Sequence, residues 1–272
     1  MTLLLHVLML FLLSGGSAEV VKNFELKCGQ FFAGGKSPTT FTGSQYEQIC
    51  QTLNGVAHYA TYYDTKNRIP VYSAYRFEKK MGCTRLDKWH IEPQLDKTPP
   101  NMAFEDIWGE RQALNGDYVK SGYHKGHLAP VYQAQSQDCS DATFTLTNAA
   151  PQNPSFNSGQ WRVLEENMAG ELSEQCKKLS VFIVTGVVPG TKKTKNERVN
   201  VPSHFWTAYC CLDNNKKCQF SRGFIGVNEN ITPQNITVND LETELAKLYK
   251  VKSFEVFDSS LEPPAKKPKL SK

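Results

Sequence analysis

Apolar and polar residues recur along this chain with two different periods, and each period marks out its own kind of element. Four runs read as strands: "RIPVYSAYRF" (68–77), "ATFTLTNAA" (142–150), "SVFIVTGVV" (180–188) and "HFWTAYCCL" (204–212). Each is rich in β-branched or aromatic residues and is bounded by Gly, Pro or Asn. A helical period is clearest from Trp161 to Leu179, where Val163, Leu164, Met168 and Leu172 recur at three- and four-residue steps. A second helix is expected in "TVNDLETELAKLY", with Asn239 as its cap and Glu242 three residues later. Strands and helices mix without strict alternation, which argues an α+β fold in one domain spanning residues 19–261. "KKTKNER" (192–198) reads as an exposed, charged loop.

The two ends depart from this pattern. Residues 1–18 carry an apolar run from Leu3 to Leu13 and then small residues up to Ala18, the form of a secretory signal peptide. That run is short for a membrane span. No other segment reaches transmembrane length, so the mature chain is expected to be secreted, with no membrane partner. The tail "EPPAKKPKLSK" (262–272) has three prolines and no period, and reads as a disordered basic tail.

Composition adds a limit on charge. The chain of 272 residues has a formal net charge of +4, and the tail, with four Lys and one Glu, supplies most of it. Any anion-binding surface on the body must therefore be local. All eight cysteines follow Ala18, an even number that suits disulfides in an oxidising compartment. No CxxC pair is present, which argues against zinc. Cys210 and Cys211 are adjacent in a strand, so they should face opposite ways and take different partners. Sequons at Asn230 and Asn235 fit N-glycosylation.

The candidate chemistry lies in "YHKGHLAP" (123–130) and the block that follows it. Gly126 permits a bend that presents His127 at a strand end. His127 then faces Asn157 from the next loop, and Glu165 lies about two helical turns further on. Carboxamide and carboxylate oxygens suit hydrated Mg²⁺, and His is the natural base near neutral pH. That set suits metal-assisted hydrolysis of a phosphodiester. Bland roles compete with this one. Asn148 and Asn157 are also turn-capping types, and Glu165 suits a solvated helix start. Arg76 reads equally as a strand-surface charge, Trp161 as a core anchor, and His90 and His204 as structural. A zinc pair from His124 and His127 lacks further ligands.

"YHKGHLAP" followed by "NAAPQNPSFNSGQWRVLE" resembles the DNA/RNA non-specific endonucleases, whose pattern is D-R-G-H-x-x-P, N-x-x-P-Q and N-x-x-x-W-x-x-L-E. Asn148, Pro151, Gln152, Asn157, Trp161, Leu164 and Glu165 all fall in place, and the likeness extends over roughly residues 60–258. The leader and the cysteines bring it nearest to the vertebrate endonuclease domain-containing 1-like proteins of that family. The resemblance implies a ββα-metal nuclease fold, a central antiparallel sheet flanked by helices. It implies His127 as general base, Asn157 as the direct ligand of Mg²⁺ (with Mn²⁺ as the alternate ion), and Glu165 as the holder of metal-bound water. Asn148 would support the site, while Arg76 and Lys125 would meet the substrate phosphate. DNA or RNA would be gripped through its backbone. Here the D-R-G-H pattern has become H-K-G-H: His124 replaces a carboxylate, and Lys125 lacks the planar fork of arginine. A catalytically inactive, secreted binding protein is the competing expectation.

Overall fold

The computed structural model describes residues 19–78, 82–96 and 109–261. The leader and the basic tail lie outside the described residues. In chain order the strands are β1 (Glu19–Val21), β2 (Tyr46–Leu53), β3 (Val56–Asp64), β4 (Ile69–Phe77), β5 (His124–His127) and β6 (Ala149–Gln152). They continue with β7 (Ser180–Val188), β8 (Lys192–Lys193), β9 (Asn200–Val201), β10 (His204–Leu212), β11 (Cys218–Val227) and β12 (Gln234–Ile236). The helices are α1 (Phe24–Cys28), α2 (Asn115–Tyr118), α3 (Gln137–Thr143), α4 (Pro154–Phe156), α5 (Arg162–Gln175) and α6 (Val238–Tyr249).

Among the described residues one antiparallel sheet of eight strands, in the order β1-β2-β3-β4-β7-β10-β11-β12, divides the molecule. Its centre matches three of the expected runs, since β4, β7 and β10 are apolar and buried along nearly their whole length. The β2–β3 hairpin turns at Asn54 and Gly55, whose φ of 52° and 76° are the two positive values a tight hairpin turn demands.

Successive side chains on a strand face opposite layers. Tyr62, Tyr72, Ala74, Trp206 and Ala208 pack on one face against α6 through Val238, Leu241 and Leu245. The hydroxyl of Tyr249 ties α6 down, accepting from Trp206 Nε1 (3.1 Å) and donating to the Val187 carbonyl (2.8 Å). On the other face Tyr75, Ile183 and Tyr209 meet Met168, Ala169 and Leu172 of α5. Fully burying such a side chain is worth about 1.5–3 kcal/mol, so this apolar stripe seats α5. Among the described residues no helix is long and apolar enough to cross a membrane.

Three disulfides pin these layers: Cys28–Cys50, Cys176–Cys211 and Cys210–Cys218. Cys210 and Cys211 do face opposite ways, one bonded within the sheet and the other to the end of α5. Cys83 and Cys139 are the two cysteines outside these three bonds.

Three expectations need correction. The run 142–150 is not one strand. Its first two residues end α3, Leu146–Asn148 forms a 3₁₀ turn, and only Ala149 and Ala150 enter β6. Buried hydrogen bonds to the Asn148 side chain, set out below, hold that turn. The cap of α6 is Thr237, whose hydroxyl accepts from the Asp240 amide at 3.1 Å, and not Asn239. Glu242 instead accepts from the backbone amide of Val256 at 2.6 Å. Within "KKTKNER", Arg198 leaves the solvated loop to pair with the buried Asp117 at 2.8 Å.

Candidate active site

β5 and β6 form a separate antiparallel pair, with His124 opposite Gln152 and His127 opposite Ala149. Asn153 then stops the strand. Its side chain accepts from the Ser155 amide at 2.9 Å, which starts α4 with Pro154 in the first turn. Asn228 fixes the angle of this turn, accepting from the Asn153 amide (2.8 Å) and donating to the carbonyls of Pro151 and Pro202 (3.0 Å each). A π-helical turn at Asn157–Trp161 follows and leads into α5. Trp161 is a core anchor, packed with Phe156 and Phe205 at ring distances of 5.5 and 5.6 Å.

Gly126 is needed for space rather than for a bend. It sits in regular strand, and a Cβ there would lie 2.2 Å from Gln152 Oε1 and 2.7 Å from Gln152 Cβ. His127, next along, is 9% exposed, and its Nε2 is buried with no hydrogen-bond partner among the described residues. Trp89 and Phe144 flank its ring at 4.8 and 4.9 Å. Burial pushes the imidazole down to about 3, and the nearby cations Arg85 and Lys125 act in the same direction. The ring is therefore neutral at physiological pH.

A cleft of about 700 Å³ opens beside it, with Arg85, His124, His127, Asn157, Arg162 and Glu165 on its walls. Asn157 Nδ2 donates to Nδ1 of His124 at 3.1 Å, which leaves Oδ1 as the amide's acceptor. Glu165 is half-buried, and desolvation drives its carboxyl up to about 8, with Glu166 adding to the shift. Among the described residues no three His, Cys, Asp or Glu side chains gather as a metal cluster. One amide oxygen and one carboxylate are instead the donor set of a mostly hydrated hard cation. A desolvated carboxylate, offset only in part by Trp161 and Arg85, is what such a cation would relieve.

The remaining expected site residues lie further out. Asn148 is fully buried behind the cleft. Its Oδ1 accepts from the Ala129 amide and the Ser73 hydroxyl (2.9 Å each), and its Nδ2 donates to the carbonyls of Ala129 and Thr143 (3.0 Å each). It holds the chain that follows His127 and does not reach the cleft. Lys125 donates to Asn115 at 2.6 Å and lies over the Trp89 ring at 4.9 Å, in a groove beside the cleft. Arg76 is not brought to the site. Alternation puts Tyr75 on the α5 face of β4, so Arg76 points to the other face, over Phe182 at 5.7 Å. The cations at the cleft are Arg85 and Arg162. Arg85 packs over Phe144 at 5.0 Å, and Arg162 pairs with Glu166 at 2.6 Å. Arg85 lies in an irregular stretch without a periodic signal. Arg162 directly follows Trp161 inside the matched block, where position alone pointed to it.

Two short antiparallel strands that feed a helix, with an imidazole on a strand and an amide and carboxylate on the helical arm, are the arrangement of the ββα-metal nuclease fold. The chain belongs to the DNA/RNA non-specific endonuclease family, whose pattern matches residues 37–261. It is 36% identical over 198 residues to the endonuclease domain-containing 1 protein of Homo sapiens, covering 68% of this chain and 39% of that one. It is 32% identical over 162 residues to the mitochondrial nuclease EXOG of Mus musculus, covering 55% of this chain and 41% of that one. The chain thus spans less than half the length of either relative. A crystal structure of the EndoG/EndoGI complex shares the fold, with a TM-score of 0.54 at 20% identity over 82% of this chain and 90% of that one.

Proposed function

We propose that this protein is a secreted, Mg²⁺-dependent endonuclease that cuts DNA or RNA without regard to sequence. One observation carries the reading: His127, Asn157 and Glu165 share one cleft with two arginines. His127 is the general base, since its neutral ring can take a proton from water. The substrate phosphate opposes the field of Arg85 and Lys125 and so raises the basicity of that ring as it binds. Asn157 supplies a direct oxygen to Mg²⁺, and Glu165 holds water of the hydration shell. The cation, when bound, stabilises charge on the phosphoryl and leaving oxygens. His124 takes over from the family carboxylate as the acceptor that orients Asn157. Asn148 is a positioning residue. Arg85 and Arg162 grip phosphates, which gives backbone binding that weakens with salt.

The three disulfides and the likeness to an endonuclease domain-containing 1 protein support the secretory reading of the leader. EXOG is mitochondrial by its name, so the destination is itself under test. We assign residues 1–18 as the leader, 19–261 as the nuclease domain and 262–272 as a basic tail, with Asn230 and Asn235 as glycosylation sites. The test is degradation of plasmid DNA and of RNA by protein recovered from culture medium, with Mg²⁺, with Mn²⁺ and with EDTA. Cleavage abolished by EDTA is expected. Tight, EDTA-independent nucleic-acid binding without cleavage would establish the inactive binding protein instead.

A further inference from the structure

We propose that Cys83 and Cys139 form a fourth disulfide, and that this bond holds Arg85 in the cleft. The second half rests on the nuclease reading; the first does not. Every other cysteine is already paired, and these two are both partly buried. Their neighbours are clamped together in both directions. The Thr84 amide donates to Gln137 Oε1, and Gln137 Nε2 donates back to the Thr84 carbonyl, each at 2.9 Å. The backbone beside Cys83 is therefore laid against the first turn of α3, and Cys139 stands in that turn. Its amide is fixed by the Ser136 hydroxyl at 3.1 Å. A disulfide asks for Cα atoms within about 4.4–6.8 Å, and a two-point clamp between flanking residues is a direct way to hold them near that spacing.

The thiols have unequal access. Cys83 lines the cleft. The Cys139 thiol is raised by burial first, and the adjacent Cys83 raises it further. Exchange therefore starts at Cys83. Its thiolate attacks one sulfur of a small-molecule disulfide, such as oxidised glutathione, and one thiol leaves. The Cys139 thiolate then attacks the Cys83 sulfur of the mixed disulfide, and the second thiol leaves. Two cysteine thiols are oxidised and one small disulfide is reduced to two thiols.

The consequence falls on Arg85. Residues 82–89 form neither helix nor strand, yet they carry this guanidinium to the cleft. The new bond would close a longer loop than the other three, whose partners are 22, 35 and 8 residues apart. It therefore restricts the unfolded chain most.

Protein from the medium, denatured without reduction and alkylated, should show no free thiol. A non-reducing digest should give a peptide joining Cys83 to Cys139 that disappears on reduction. Alkylated Cys83 and Cys139, or Cys83 joined to another partner, would overturn the cross-link whether or not the protein cuts nucleic acid. In the double variant Cys83→Ser, Cys139→Ser, KM for a defined oligonucleotide should rise roughly tenfold while kcat changes less than about threefold. Proteolysis between residues 82 and 89 should accelerate. An unchanged KM with the linked peptide present would leave the bond standing and overturn its role in holding Arg85.

Discussion

The two faces of the central sheet are built by opposite rules. The α6 face is aromatic and aliphatic, with Trp206, Tyr72 and Phe254 fully or almost fully buried. The α5 face carries a row of hydroxyls in register across four strands: Thr61, Ser73, Thr185 and Thr207. Thr61 meets Ser73 at 3.0 Å, and Thr185 meets Thr207 at 2.8 Å. From this row Ser73 reaches Asn148, and Tyr75 reaches Gln133, which donates to the Glu165 carbonyl at 3.2 Å. Apolar packing tolerates small shifts, whereas a buried hydrogen bond demands a fixed geometry and is costly to leave unmade. The first face supplies stability, and the second spends buried polar groups on placing the cleft.

The largest expected effect separates chemistry from both faces. His127→Ala should lower kcat by roughly 10²–10⁴-fold, with a smaller loss of stability than a core truncation. A loss below about tenfold in steady-state cleavage would remove His127 from the role of base. Trp206→Ala should do the reverse, losing about 3–5 kcal/mol in urea unfolding while the folded fraction keeps its activity. Asn148→Ala tests the mixed case. It orphans several buried partners, each costing about 1–3 kcal/mol, and should lower both stability and kcat. An Asn148→Ala protein that lost stability alone would erase the distinction between the faces.

The smallest effect is a dependence on pH. Glu165 has its folded value raised to about 8 from an ordinary 4.5, so between those values the folded state holds the extra proton. Its contribution to stability therefore falls as pH rises across that window. His127 works in the opposite sense, losing stability as pH falls from 6.5 toward about 3. On the proposed reading the ionised Glu165 holds Mg²⁺ through its hydration water, so the effect of the ion on Tm should be larger at pH 8 than at about pH 5.5. At ten times its dissociation constant the ion adds about 1.4 kcal/mol. Glu165→Gln should flatten that difference in a calorimetric titration. An equal Mg²⁺ effect in the variant would place the cation elsewhere.

The strands at the centre of the sheet were legible because their β-branched and aromatic residues form long runs interrupted only by single polar positions. The block from Asn148 to Glu165 was legible because several residue types recur at fixed spacing. The β2–β3 hairpin went unread although its Asn-Gly turn is a strong local signal, because "YEQICQTL" mixes polar and apolar residues without a clean period. Alternation along β4 separates Tyr75 from Arg76, but which of them meets α5 depends on packing that no local pattern encodes. Arg85 was hidden for a related reason: tertiary hydrogen bonds such as the Thr84–Gln137 clamp place its segment, not its own periodicity. Lys125 showed its charge in the sequence but not its engagement with Asn115 and Trp89.

The π-helical turn at Asn157–Trp161 makes the length of this chain segment part of the chemistry. Gly159 leaves the helical path inside this turn, with φ −105° and ψ −110°, so removing one residue there would reset how the chain enters α5. Each α-helical residue advances the face by about 100°. Asn157 would then swing around the axis relative to Glu165, while the aromatic anchor at Trp161 held the rest in place. Surface loops elsewhere in the fold can gain or lose residues at small cost. Across descendants of this gene, insertions and deletions should accumulate in those loops and be purged from these five positions, even where the side chains themselves drift.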